Sequence, residues 1–119
     1  MDPKRLMEHI QTHPDYPKVG MILCHRGVVR GFARDGRRVS GLRVAVDEAR
    51  LGELLKVQRR KPGIVDIQIE IAADRDLAVG DDVMLLVVAG DFRENVIRTL
   101  EETLNAVKTT VTRKTEFPV

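Results

Sequence analysis

Tryptophan is absent from this 119-residue chain, and aromatic side chains make up only 3% of it. That scarcity excludes a single-stranded nucleic-acid surface built on stacked bases. It also means that the core has to be aliphatic, and a hydrophobic share of 43% is ordinary for a globular chain. There is one cysteine, Cys24. A lone cysteine rules out an intramolecular disulfide and a Cys-rich zinc site, and it fits a reducing compartment. Cys24 reads as a small buried residue and not as a nucleophile. Excess charge of either sign is also missing: 20 Lys and Arg face 18 Asp and Glu, for a net +2. Such a balance speaks against a strongly basic nucleic-acid binder. No apolar run reaches membrane-spanning length, and the opening M-D-P-K-R-L-M-E-H-I has no apolar signal region. The expectation is a cytoplasmic protein, one domain over residues 1–119, with neither membrane nor nucleic acid as partner.

Metal and phosphate-loop signals are equally thin. Three histidines, His9, His13 and His25, lack a ligand spacing, because Pro14 breaks the face that His9 and His13 would share. They read as exposed or satisfied histidines. No Walker or dinucleotide glycine loop occurs, and no local Ser–His–acid or Cys–His pattern appears. Neither a metal nor a cofactor is expected.

What the chain does hold is a long amphipathic stretch near its end. From Asp91, Val96, Ile97, Leu100, Leu104 and Val107 fall on one helical stripe. Asp91 can cap its start and Lys108 suits its end. Thr109 to Thr115 is β-branched and reads as an extended exit carrying Arg113 and Lys114. Upstream, Pro3–Gln11 is a short helix behind Asp2, and two prolines, Pro14 and Pro17, break the chain after it. Strands are expected over Gly20–Arg30, Val39–Val46, Ile64–Ala72 and Asp82–Ala89. The last is apolar on both faces. A helix from Asp47 to about Arg60 carries Leu51, Leu54, Leu55 and Val57. Asp35-Gly36 marks a hairpin turn in a basic loop with Arg34, Arg37 and Arg38. Strands and helices mix without strict alternation. This predicts an α+β fold: one mixed or antiparallel sheet with two main helices on a face.

The cations at element ends are the candidates for chemistry. Arg30, Arg37, Arg38 and Arg93 can hold a phosphate or carboxylate bidentately. Lys108 and Lys114 can act as base or nucleophile where partly withdrawn from water. The same residues also read as solvated surface charges.

In order and spacing, the stretch from about Gly20 to Glu116 resembles the large, catalytic subunit of molybdopterin synthase. That family has a strand ending G-x-V-R, here Gly27, Val29 and Arg30. It has L-x-x-G-D before an apolar strand, here Leu77, Gly80 and Asp81. A His-Arg pair opens its long helix, and here Phe92-Arg93 stands there. A lysine ends that helix and a Trp-Lys pair follows, here Lys108 and Arg113-Lys114, with the spacing one residue shorter. Departures are Phe92 for histidine, Gly31-Phe32-Ala33 for a His-Asn loop, Ala45-Val46-Asp47 for Glu-x-Tyr, and Arg113 for tryptophan.

The resemblance implies an α/β-hammerhead-like fold and a sulfurtransferase of molybdenum cofactor biosynthesis. The substrate would be cyclic pyranopterin monophosphate, converted to a dithiolene. The sulfur donor would be a small ubiquitin-like subunit ending in a Gly-Gly thiocarboxylate. The large subunits would form a homodimer. By position, Lys114 and Lys108 would be catalytic, and Arg30 and Arg93, with Arg37 or Arg38 as helpers, would bind the anionic groups. The alternative is a non-catalytic paralogue of the same fold, binding a pterin or phosphate ligand or the carrier's tail.

Overall fold

The computed structural model describes all 119 residues. The element order is α1 (Pro3–Gln11), β1 (Met21–Val28), β2 (Val39–Val46), α2 (Glu48–Arg59), β3 (Ile64–Ile71), β4 (Asp76–Ala78), β5 (Asp82–Gly90), α3 (Arg93–Ala106) and β6 (Thr112–Pro118). A short 3-10 turn covers Tyr16–Lys18, and a π-helical turn, Val107–Val111, joins α3 to β6. The α+β class and the antiparallel pairing match the expectation from sequence. The pairing is divided, however, into two three-stranded sheets, ordered β1-β5-β3 and β4-β2-β6.

β5 explains its own sequence. Leu85, Leu86, Val87, Val88 and Ala89 are all fully buried, because the strand is central in its sheet and helices cover both faces. Leu85, Val87 and Ala89 pack with Leu6 and Ile10 of α1. Met84, Leu86 and Val88 pack with Ile67, Val96, Val107 and Val111 on the side of α2 and α3. Each such aliphatic side chain withdrawn from water contributes roughly 1.5–3 kcal/mol.

The helix faces differ in detail from the apolar stripes read in the sequence. Val57 of α2 and Ile97 of α3 are about half exposed. In their stead the buried seam holds Gln58, Thr99 and Thr103. Gln58 Nε2 donates to Thr103 Oγ1 at 3.0 Å, so the polar pair satisfies itself where the two helices meet. A rule that counts only apolar residues cannot see such a pair.

The start of α3 is also shifted. Phe92 occupies the cap position without a capping side chain. The preceding Asp91 donates its amide to the Gly63 carbonyl, which ties it to the sheet. Its Oδ1 accepts from Phe92 N at 2.6 Å and from Asn95 Nδ2 at 2.9 Å. These bonds, the Asn95 one foremost, hold the Asp91 carboxyl below its ordinary value of 3.8. A depressed folded value means stability present above the unfolded value and lost as pH falls through the folded one. Asp91→Ala is therefore expected to melt below the wild type at neutral pH. The gap should close in acid, once wild-type Asp91 is itself protonated; melting curves across that range check it.

The turn region Asp74–Asp81 contains β4, a strand too short to show an alternation. Leu77 and Asp76 pair with Leu42 and Arg43 of β2. The approach is close: a Cβ on Gly41 would lie 2.1 Å from the Leu77 carbonyl oxygen. No helix is long and apolar enough to cross a membrane.

Candidate functional site

The two sheets meet along a seam, and the seam opens as a cavity of about 470 Å³. Each wall follows from strand alternation, in which every second side chain faces the same way. On β1, Ile22 and Cys24 pack toward α1, whereas Met21 and Leu23 pack toward α2 and α3. The next residues in that second series, His25 and Gly27, line the cavity. On β6 the cavity residues are Thr112, Lys114 and Glu116. They pair across the sheet with Val46, Val44 and Leu42 of β2, of which Val44 and Leu42 form the apolar floor beside them. Ile71, Val83 and Met84 close the base from the first sheet.

Lys108 comes from the π-helical turn at the end of α3. There the helix widens, and threonine hydroxyls take up freed carbonyls. Thr110 Oγ1 donates to Ala106 O at 2.7 Å and Thr112 Oγ1 to Val107 O at 3.2 Å. Widened turns of this kind often sit at functional positions. Val107 and Val111, both buried, anchor the turn from below and leave Lys108 exposed toward the seam. Arg30, Phe32 and Arg34 arrive from the loop between β1 and β2.

Of the residues singled out in the sequence, Arg30, Lys108 and Lys114 are brought together from three distant stretches of chain. Arg37, Arg38 and Arg93 do not line the cavity. Arg37 Nε is held by Asp35 Oδ2 at 2.8 Å across the loop's turn. Its backbone and side-chain bonds lower the Asp35 carboxyl. Arg38 forms a bridge with Phe32. Arg93 opens α3, largely exposed, with Nε 3.4 Å from Glu94 Oε1.

Sequence reasoning passed over His25 and Arg34. Arg34 was legible only as part of a basic loop. His25 carried a signal: it continues the period-two series Met21, Leu23 on the strand's apolar face, where an imidazole is out of place.

The electrostatics are strongly one-sided. Arg30, Arg34, Lys108 and Lys114 face a single carboxylate, Glu116. Lys114 Nζ lies 3.8 Å from Glu116 Oε2, with the lysine side chain half exposed. Burial, and then the positive charge of Lys108, push the His25 imidazole below its ordinary 6.5. Cys24, on the opposite face of β1, has its thiol raised by burial, which keeps it protonated and unreactive. The cavity thus sets a cationic lining over an aliphatic floor, an arrangement suited to an anion. No cluster of His, Cys, Asp and Glu that could hold a metal is present.

The family described as MoaE protein matches residues 1–110. No curated relative matches by sequence. Among solved structures, molybdopterin synthase from Staphylococcus aureus superposes with a TM-score of 0.80 at 18% identity, covering 100% of this chain and 86% of that one. Molybdopterin cofactor biosynthesis protein E from Burkholderia multivorans gives 0.75 at 21% identity, again over 100% and 86%. A protein–protein complex of subunits 1 and 2 of the molybdopterin-converting factor from Helicobacter pylori gives 0.71 at 20% identity, over 98% and 78%.

Proposed function

The chain belongs to the MoaE protein family, and from that premise we propose that it works as the large subunit of a molybdopterin synthase. It would move sulfur from the thiocarboxylated tail of a small ubiquitin-like subunit to cyclic pyranopterin monophosphate. The observation that carries this reading is the convergence of Arg30, Lys108 and Lys114 on one cavity, in the order that the resemblance assigns to them.

The chemistry required and the residues present agree. The substrate's phosphate and the donor's thiocarboxylate are both anions, and fixed cations in a partly dry cavity bind such groups more strongly than cations in water do. Arg30, with Arg34 beside it, is suited to the phosphate, because a guanidinium offers paired donors. Lys108 positions the thiocarboxylate. Lys114, steered by Glu116, works as the proton donor or covalent partner where sulfur changes hands. The aliphatic floor of Leu42, Val44 and Ile71 suits a flat ring.

A Gly-Gly tail fits the role of second substrate, since a chain end without side chains can enter a narrow cavity. The small-subunit partner is further supported by the two-subunit complex seen in the Helicobacter pylori neighbour. Arg93 lies outside the cavity of its own chain, so a part for it in substrate binding requires a second copy of the chain to bring it there. The homodimer is therefore part of this proposal.

The test is reconstituted turnover: this protein, a thiocarboxylated small subunit and cyclic pyranopterin monophosphate, with dithiolene product as the readout. Product supports the reading. Tail binding without product favours the non-catalytic paralogue, with Phe92 as the residue to revert to histidine. Arg30→Ala is expected to raise the KM for the pterin about 10- to 100-fold, the range of one lost charge-assisted contact. Its kcat should change less, and steady-state kinetics separate the two.

A further inference from the structure

We propose that His25 is the proton acceptor of the cavity, the base that activates water to release the spent carrier; this rests on the synthase reading above. Few groups in the cavity are free to accept a proton. The guanidinium groups of Arg30 and Arg34 have no lone pair to offer, and Lys108 and Lys114 are already committed to the thiocarboxylate and to the sulfur-transfer step. The Glu116 carboxylate is engaged by Lys114 at 3.8 Å. The Thr112 hydroxyl donates to the Val107 carbonyl at 3.2 Å. His25 is what remains.

Its geometry suits the task. The imidazole stands on the apolar face of β1, in line with Met21 and Leu23. Nε2 reaches over Gly27, where the missing side chain leaves room: a Cβ there would lie 3.5 Å from it. No buried polar side-chain atom in the protein lacks a partner, and the ring makes no hydrogen bond within the chain. Its nitrogens therefore open to the cavity and are free for a water or substrate. The charged groups around it are Lys108 at the end of α3, Arg30 and Arg34 from the loop, and Lys114 and Glu116 on β6. Burial, and then the positive charge of Lys108, hold the ring below its ordinary 6.5 and favour its neutral form at physiological pH.

Sulfur transfer needs such a group. Once the carrier's sulfur has bonded to the pterin, the carrier's terminal acyl carbon is held in a thioester. To free the sulfur, the acyl carbon–sulfur bond must break, its electron pair leaving on sulfur. Water supplies the new acyl carbon–oxygen bond, and one of its protons passes to His25. The products are a carboxylic acid on the carrier, a thiolate on the pterin and an imidazolium on His25. The cavity's basic side chains stabilise the developing oxyanion and thiolate, while His25 takes the water's proton.

The experiment compares the wild type with His25→Gln and His25→Phe in reconstituted turnover between about pH 5 and 8. Intact-mass measurement follows any carrier–pterin adduct. His25→Phe retains a ring of similar shape, and melting curves confirm that each variant is folded. Expected are a kcat lowered about 10- to 100-fold, a KM little changed, and an accumulated acyl-linked adduct. The wild type should lose activity as pH falls below 6.5, and the variants should lack that limb. Wild-type turnover with an unchanged kcat and pH profile in a folded variant overturns the assignment alone. Absence of product from the wild type overturns the synthase reading and the assignment with it.

Discussion

Replacing Lys114 by alanine is expected to remove nearly all turnover, a loss of about 100- to 10,000-fold in kcat, the usual range for a positioned proton-transfer group. The residue stands at the middle of the cavity face of β6, between Thr112 and Glu116. It is also the Cα partner of Val44, so a rigid pairing and not a loop sets its place. Binding of the small subunit's tail should survive the change, weakened by one cation among four. Lys114→Arg separates charge from chemistry. A guanidinium keeps the charge but delivers no proton at neutral pH, so that variant should bind well and turn over poorly. Recovery of most of the rate with arginine would reduce Lys114 to an electrostatic role. Single-turnover product measurement beside a tail-binding isotherm makes the distinction.

Leu86→Ala is expected to have the largest effect on stability, about 2–5 kcal/mol. Leu86 is fully buried in the central strand, opposite both His25 of β1 and Ile69 of β3. Truncating it opens a void between strands that hydrogen-bonded neighbours on either side cannot close. Domains of this size are stable by only about 5–15 kcal/mol, so a large part of the margin would go. Urea unfolding should show the midpoint falling with the slope unchanged. Since His25 faces this position, the cavity should suffer too, and bound phosphate or tail peptide should recover part of the loss by mass action. A change below about 1 kcal/mol would mean that the site collapses onto the gap.

The sequence made the elements legible because their signals are local. Ile64 to Ile71 alternates, β5 is apolar throughout, and Asp47 caps α2, its carboxylate accepting from Arg50 N at 3.1 Å. What could not be read is what depends on pairing over distance. The division into two sheets rests on β2 choosing β4 and β6, and three residues of β4 carry no periodicity of their own. The cavity belongs to the same category. Arg30, Lys108 and Lys114 stood out as cations at element ends and took their roles from the family resemblance, and their meeting follows from topology. Arg37 and Arg38 were grouped with them as helpers, whereas the turn at Asp35 directs Arg37 to an acid beside it. His25 was set aside because it had no histidine neighbour in sequence. Its neighbours in space are Lys108 and the loop arginines, and no window of a few residues contains both.

The alternation along β6 has a consequence for chain length. Even-numbered residues from Thr112 to Glu116 face the cavity, and Val111, buried in the core, fixes the phase from which they count. Between Val111 and Lys114 it is therefore parity that matters. Losing or gaining one residue there turns Lys114 to the outer side and offers Arg113 or Thr115 to the site. Losing or gaining two restores a side chain of the right class to the right face, one pleat along. Single-residue length changes in this short connection should be tolerated less well than most substitutions of the residues in it, and paired changes better than single ones.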